Sequence, residues 1–413
     1  MFNSSISVKA ENLLYFLIAL SVMTTSGANW TVMFLLGTGI IVFAKYKKFD
    51  MNNFKITCGL SILLFLNSYV MGVSSFNRHE FVVYIFRFIG LFLICSYIRF
   101  DKFSYWYVKI LFFILAMTIP FWIINFLFNR AGLVGVLPPH IFDLFSMDST
   151  ASKLRFKSIF WEGGVCAIHA NLGLLYCIVN KIKTKRDKIY VMVFLAAIIA
   201  SISSTGYICL ALQLCYVTKR AYSNGKIKIK MLYFIILAAG AVVAEECIKG
   251  VVIGKLIGHG ASFSSRYDDT LLAILIAKQY FWTGIGVATN TQEVFLDFVH
   301  HNSVYLAMRK YFMDDMASSN GLGNCMYKAG VPFTLMYMWM IWNRLRSMLK
   351  LPRTESFIIC IMFACFFFGE PIMSTPLFLM VFYSVKVKDT RTVNEVTNYG
   401  LYSRTNISDC ASL

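Results

Sequence analysis

Apolar runs of about 20 residues recur from one end of this chain to the other, and short clusters of lysine and arginine separate them. As a helix rising about 1.5 Å per residue, a run of that length matches the hydrocarbon thickness of a bilayer. Hydrophobic residues make up 58% of the 413 residues and charged residues only 15%. No single water-soluble core buries so much apolar surface. The pattern predicts an all-α, polytopic integral membrane protein of about twelve transmembrane helices. The expected spans are 13–26, 29–44, 56–74, 81–98, 104–127, 158–180, 189–203, 205–218, 231–248, 325–343, 356–369 and 371–385. The first run follows only Lys9, as a signal peptide would. Its pairing with the second run as a hairpin favours an uncleaved span.

The formal net charge is +18. Its placement argues against nucleic acid as a partner. Lys45, Lys47, Lys48 and Lys55 follow the second run, and Lys181, Lys183, Lys185, Arg186 and Lys188 follow the sixth. Lys219, Arg220, Lys226, Lys228 and Lys230 follow the eighth; Arg344, Arg346, Lys350 and Arg353 follow the tenth; Lys386 and Lys388 follow the last. Short basic loops are the positive-inside signal of cytoplasmic connections. With every such loop inside, both termini are expected in the cytoplasm. Attraction to anionic headgroups of the bilayer is a secondary consequence.

Two hairpins are too short for full spans. Tyr190 to Val217 and Ser356 to Val385 each hold only about 30 residues between cytoplasmic clusters, against about 40 for two complete helices. Broken helices are expected at Ser203-Ser204-Thr205-Gly206 and Gly369-Glu370-Pro371, opening toward the outer face. Freed backbone at membrane depth is tolerated only where it is buried in protein or lines a watery cavity. The organisation is one membrane domain in three stretches: 1–249 with nine spans and an outer loop at 128–157, a large outer loop at 250–324, and 325–413 with three spans and a cytoplasmic tail. Loops longer than about 15 residues are usually functional or disordered. No repeat relates the halves of the chain, unlike transporters built by duplication.

Eleven cysteines are present, most inside apolar runs, with no CxxC and no cysteine–histidine cluster. They read as small core- or lipid-facing residues. No Walker-type loop occurs, and Gly284-Ile285-Gly286 lacks the strand and helix of a dinucleotide fingerprint. Neither a cofactor nor a metal is expected.

The candidate chemistry lies in the outer loops. Arg155 and Lys157 precede Trp161-Glu162-Gly163-Gly164 at the margin of the sixth span. A carboxylate beside two cations there is either an interfacial ion pair or a headgroup-depth site for a phosphorylated lipid. Arg266, in Ser264-Ser265-Arg266-Tyr267-Asp268-Asp269, presents a planar fork suited to phosphate oxygens. Asp268 and Asp269 read instead as charge-matching the start of the following helix. His300-His301-Asn302 holds the only histidine pair, and His301 is a candidate general base. Tyr267, Tyr280, Phe281 and Trp282 could pack on sugar faces, or serve as an interfacial aromatic belt.

The order Trp161-Glu162-Gly163, Ser203-Ser204-Thr205-Gly206-Tyr207, Ser265-Arg266-Tyr267, Gly284-Ile285-Gly286, Ser319-Asn320-Gly321 and Gly330-Val331-Pro332 resembles the bacterial Wzy-type polysaccharide polymerases. These sit with the O-antigen ligases in one membrane superfamily. The likeness covers most of the chain, including the spans and the large outer loop before the last three. It implies a GT-C-like glycosyltransferase of the bacterial inner membrane that works at the periplasmic face. Its substrates would be undecaprenyl-pyrophosphate-linked oligosaccharide repeat units. The growing chain would pass from its lipid carrier to a sugar hydroxyl of an incoming unit, in O-antigen, capsule or exopolysaccharide synthesis. The donor is already activated, so no nucleotide is needed. A chain-length regulator in the same membrane is an expected partner. On this basis Glu162, Arg266 and His301 are the catalytic candidates. Arg266, helped by Arg155 and Lys157, would meet the pyrophosphate. Ser204, Thr205, Tyr267, Ser319, Asn320 and Glu370 would line the substrate cavity.

The sequence departs from the ligase branch. Asn320 and Gly330 keep that branch's spacing, but Ser319 stands where its histidine is expected, and no glycine follows His301-Asn302 at that spacing. An O-antigen ligase is therefore an alternative, as is a flippase for the same lipid-linked units. A flippase would show shorter, more even outer loops and internal pseudo-repeats.

Overall fold

A computed structural model describes residues 2–23, 29–130, 156–160, 162–180, 184–223, 261–295, 320–349 and 352–385. Among them the regular structure is helical throughout. In chain order the helices are α1 (Phe2–Met23), α2 (Asn29–Tyr46), α3 (Met51–Phe65, continued by one π turn, Leu66–Val70), α4 (Arg78–Cys95) and α5 (Phe100–Arg130). Then come α6 (Gly163–Val179), α7 (Lys185–Ala200), α8 (Ser204–Ser223), α9 (Ala261–Gln279), α10 (Gly321–Ala329), α11 (Val331–Leu349), α12 (Arg353–Gly369) and the single turn α13 (Pro376–Leu379), followed by a 3-10 turn, Met380–Phe382.

Several helices start where side chains take up free N–H groups. Asp50 accepts from Asn52 N and Asn53 N, Asn77 from Glu80 N, and Thr184 forms a capping box with Asp187. Several helices are apolar on every side. On α5, Leu111 and Leu115 are 0% exposed while Phe113 and Met117 are 63% and 53% exposed. Two helical stretches, Met51–Val70 and Phe100–Ile124, are long and apolar enough to cross a membrane; Ala10–Met23, Thr31–Tyr46, Gly163–Val179, Thr270–Gln279 and Glu355–Gly369 are shorter apolar helices.

One hydrophobic core runs through the bundle, from α1, α2, α4 and α5 through α6 and α7 to α11, α12 and α13. α2 and α4 meet most closely at glycines: a methyl on Gly39 would lie 3.0 Å from the Gly90 carbonyl oxygen. Small residues let two backbones approach in this way. Buried amides fasten α6 to its neighbours. Asn171 Nδ2 donates to the carbonyls of Ala167 (2.8 Å) and Gly206 (3.2 Å), and Gln213 Nε2 donates to Asn171 O (2.9 Å) and Oδ1 (3.0 Å).

Both short hairpins leave the helix within the bundle. Between α7 and α8 the chain turns at Ser201–Ser203, with Ile202 at φ 47°. After α12 it leaves the helix at Glu370. The stretch 371–385, expected as a twelfth span, is one turn of α-helix and one of 3-10 helix. Pro371 and Pro376 account for this, because each disfavours helix at the residue before it and removes an N–H donor. The non-helical backbone is answered by side chains. Asn53 Nδ2 donates to Ser384 O (3.0 Å), Ser384 N donates to Asn53 Oδ1 (2.7 Å), and Tyr383 Oη donates to Phe88 O (3.0 Å).

The stretch 250–324, expected as one large loop, contains α9 and an ordered segment after it. That segment is wedged between the π turn of α3 and the end of α10. Asn67 receives Val287 N (2.7 Å) on Oδ1, and Ser68 Oγ receives Ala288 N (2.9 Å). On the other side Ile285 N donates to Tyr327 O (2.7 Å) and Gly286 N to Lys328 O (3.0 Å). The Gly284-Ile285-Gly286 motif is thus structural. Gly284 and Gly286 have φ of 66° and 107°, and a methyl on Gly284 would lie 2.5 Å from the Lys328 carbonyl. A small second core forms beneath, from Leu272, Ala273 and Ile276 of α9 with Ile285, Phe295 and Tyr327. At the edge, Glu293 accepts from Ser75 Oγ (2.8 Å), Ser75 N (3.2 Å) and Asn290 Nδ2 (2.9 Å). These bonds, led by the Ser75 hydroxyl, hold its carboxyl below the ordinary range. The contact therefore persists above that range and is lost only as pH falls through the lowered value.

Gly284→Ala should lower stability by about 2 kcal/mol or more, from the positive φ and the overlap together. Thermal unfolding of the purified protein measures this. Gly37→Ala is the control, since nothing among the described residues lies within 4 Å of a methyl there; it should unfold at or slightly above the wild-type temperature.

Candidate functional site

Motifs far apart in sequence meet where α12 ends. Glu370 is 1% exposed and has extended backbone, φ −146° and ψ 144°. Its side chain folds onto the first turn of α6: a methyl on Gly164 would overlap the Glu370 carboxylate. Helix N-termini carry free N–H groups and a partial positive charge, which suit a buried carboxylate. Glycine at 164 is what allows the approach. On the neighbouring side a methyl on Gly369 would overlap the Thr205 side chain in the first turn of α8. On the third side Gly321, opening α10, lies against the backbone of Glu370 and Pro371; a methyl there would be 2.9 Å from Pro371 Cα. The first turns of three helices therefore meet the end of α12: α6 at the buried Glu370 carboxylate, α8 at Gly369, and α10 at the backbone of Glu370 and Pro371.

α9 joins this cluster through Asn320. Asn320 Oδ1 caps α10 by accepting from Gly323 N (2.9 Å), and its Nδ2 donates to Thr270 Oγ1 (2.9 Å). Thr270 sits one helical turn after Arg266 on α9.

The expected site residues distribute as follows. Glu370, Thr205 and Asn320 fall within the cluster, and Glu162 is the N-cap residue of α6, directly before it. Ser204 is exposed; its neighbour Ser203 is buried and accepts from Gly206 N (3.2 Å) at the start of α8. Lys157 lies in a short segment tucked against α5 and α7. There Phe156 N donates to Ala200 O (3.1 Å), and Ser158 Oγ and Thr118 Oγ1 are 2.8 Å apart. Arg266 and Tyr267 belong to α9, with side chains outside the described residues. Arg155, His301 and Ser319 lie outside the described residues altogether.

Beside the cluster, sharing Gly321 and Pro371 with it, is a cavity of about 340 Å³. It is bounded by α3, α4, the 282–287 segment, α10, α11 and the stretch after Pro371. Lys328 and Asn324, one turn apart on α10, face it. Lys328 Nζ pairs with Glu80 Oε1 at 3.0 Å. Arg87 stands behind the wall, with Cζ 5.4 Å from the centre of the lining ring of Tyr84. One guanidinium nitrogen donates to the Ser374 carbonyl (3.3 Å), while Nε is buried without a partner. A second cavity, about 190 Å³, lies between α5, α6, α11 and α13. None of the clustered residues reaches it.

The sequence-derived set lacked Glu80, Arg87 and Lys328. Glu80 reads as the N3 residue of a helix capped by Asn77, which it also is. The other two carried a usable signal. Arg87 falls inside the expected span 81–98, and Lys328 inside 325–343 at the end without basic clusters. Ionisable residues within apolar spans mark function by default.

Comparison with protein-family models, with curated proteins and with solved structures finds no match to this chain. Its function must be argued from its own residues.

Gly369→Ala should destabilise the fold by forcing Thr205 aside. Adding Thr205→Ala removes the overlapping Oγ1 and Cγ2, so the double variant should regain part of the loss. A coupling of about 0.5–3 kcal/mol in thermal or denaturant unfolding is the expected outcome. Additive losses would show that the two residues are not in contact.

Proposed function

We propose that this chain is a polytopic membrane glycosyltransferase of the Wzy polymerase type. In this role it joins lipid-pyrophosphate-linked oligosaccharide repeat units at the outer face of the bacterial inner membrane. The observation that carries the proposal is the packing of Gly164 on the buried carboxylate of Glu370, with Thr205 and Gly321 against the adjoining backbone of 369–371, next to a largely apolar cavity with Lys328 in its wall. Chemistry on a lipid-linked sugar needs both parts: a polar centre that excludes bulk water, and an apolar space beside it. Helices apolar on buried and exposed faces alike support the membrane setting. With the basic clusters inside, the cluster and the cavity lie at the outer ends of α3, α6, α8 and α12.

In the proposed reaction a hydroxyl oxygen of the acceptor sugar attacks the anomeric carbon of the donor chain. The bond from that carbon to the pyrophosphate oxygen breaks, and undecaprenyl pyrophosphate leaves. The hydroxyl proton passes to a base, for which Glu162 and His301 are the candidates. Arg266, with Arg155 and Lys157, would stabilise charge on the departing pyrophosphate. Glu370, held against α6, would fix the positions of the surrounding helix ends. A chain-length regulator remains an expected partner.

Deleting the gene in its host and running surface polysaccharide on a gel tests this. Single repeat units in place of a long ladder support the polymerase. Units trapped on the inner side would mark a flippase, and long chains left on the lipid carrier a ligase. In the complemented strain Arg266→Ala should abolish the ladder, with loss of about 100-fold or more in polymer, while the protein still inserts. A normal ladder from that variant removes Arg266 from the site. His301→Ala should reduce turnover if His301 is the base, and full activity would exclude it.

A further inference from the structure

We propose that the cavity between α3, α4 and α10 is a binding site for a lipid phosphate, with the anionic head on Lys328 and the apolar tail running inward along α3. The existence of the site stands on its own geometry; the identity of the lipid as an isoprenoid carrier rests on the polymerase proposed above.

The walls of the cavity are graded. Lys328, Asn324 and Asn67 lie toward the end where α3 finishes. Leu60, Leu64 and Phe88 lie about 10 Å further along the helix axes. The cavity also opens sideways. Leu63 and Leu66 line it and are 52% and 40% exposed, so its mouth is on an apolar flank of the molecule. An occupant entering there comes from an apolar phase, and its polar end must stop at the polar wall.

The donors of Lys328 decide the sign of that polar end. Lys328 is the cation lining the cavity and pairs with Glu80; Arg87, beside Phe88 and behind the inner wall, adds positive charge further along, forms no ion pair among the described residues, and its Nε lacks a partner. Glu80 occupies one of the three donors of the Lys328 ammonium. The other two can serve phosphate oxygens with charge-assisted hydrogen bonds. Asn324 adds a buried amide whose Oδ1, an acceptor without a partner, could take an O–H of the occupant or of a bound water, not a phosphate oxygen. A volume of about 340 Å³ is at the lower end of small-ligand cavities, enough for a phosphate head and the first part of a tail.

The test is binding by the purified full chain in detergent, followed by native mass spectrometry. Undecaprenyl phosphate, phosphatidylglycerol and inorganic pyrophosphate are offered separately. The wild type should retain a phosphate lipid and not pyrophosphate. Retention of undecaprenyl phosphate over phosphatidylglycerol identifies an isoprenoid, and the reverse a membrane phospholipid. Lys328→Ala should weaken binding about tenfold or more, and Lys328→Arg should restore most of it. Leu63→Trp, at the exposed mouth, should block the tail.

Glu80→Gln separates a ligand site from a purely structural ion pair. If Lys328 serves a ligand, removing its competing carboxylate leaves binding unchanged or tighter. If the pair only holds α4 to α10, Glu80→Gln and Lys328→Ala lose binding together, which overturns the site. So does wild-type binding by Lys328→Ala, or tight binding of pyrophosphate without a tail. If the host deletion keeps its ladder while Lys328-dependent binding holds, the polymerase falls and the site stands. If the ladder is lost while Lys328→Ala binds normally, the site falls and the polymerase stands.

Discussion

Backbone amides and carbonyls in a chain this apolar must find partners inside the protein, and that constraint organises the molecule. Helices satisfy themselves along their length, so the demand concentrates where the chain leaves the helix. Several such places are met by a particular side chain. Asn53 pairs reciprocally with Ser384 beyond the 3-10 turn, Asn67 and Ser68 receive the segment after Gly286, and Asn320 caps α10 while reaching Thr270. These contacts cost polar groups their water and return hydrogen bonds in a low-dielectric setting, where an unmet partner is expensive. They fix the non-helical segments in one arrangement. A site built from those segments inherits that rigidity.

The buried carboxylate of Glu370 follows from the same constraint. Pro371 ends α12 and turns Glu370 to extended backbone, which swings its side chain across to α6. Gly164, Gly321 and Gly369 then allow helix ends to crowd around it at separations that any side chain would prevent. The dipoles of α6, α8 and α10 all present their positive ends near this point. The Glu370 carboxylate answers the positive end of α6, and the adjoining cavity, with Lys328 in its wall and Arg87 behind it, sets cations beside an apolar space.

Much of the organisation was legible in the chain itself. The apolar runs located most of the described helices within a few residues; the run 231–248 lies outside the described residues, and 325–343 is broken at Gly330 into α10 and α11. The shortness of two hairpins located the breaks near Ser203 and Glu370. What the runs could not tell was how far the chain recovers after Pro371; two prolines in six residues left single turns in place of a helix. Gly284-Ile285-Gly286 looked like a weak nucleotide motif, and its glycines instead serve a tight passage between α3 and α10. A helix after Asp268 and Asp269 was legible within 250–324, but α9 begins at Ala261, because Ser264, Arg266, Asp268 and Asp269 continue the helix before its apolar turns; the two aspartates lie mid-helix and not at its start. Its apolar side finds Tyr327 and Phe295 only once α10 is in place.

The sequence by itself determined the class: a helical chain, with several helices apolar on all faces and basic residues gathered in the connections between the apolar runs. Those properties are local, set by residue type and by spacing along one helix. Only the tertiary structure decided that Gly164, Thr205, Gly321 and Glu370 share one point, and that Lys328 meets Glu80 across 248 positions. Such pairings depend on which helix ends pack together. That is fixed by the close approach of small residues and by buried hydrogen bonds between distant segments, for which a single sequence carries no periodic signal.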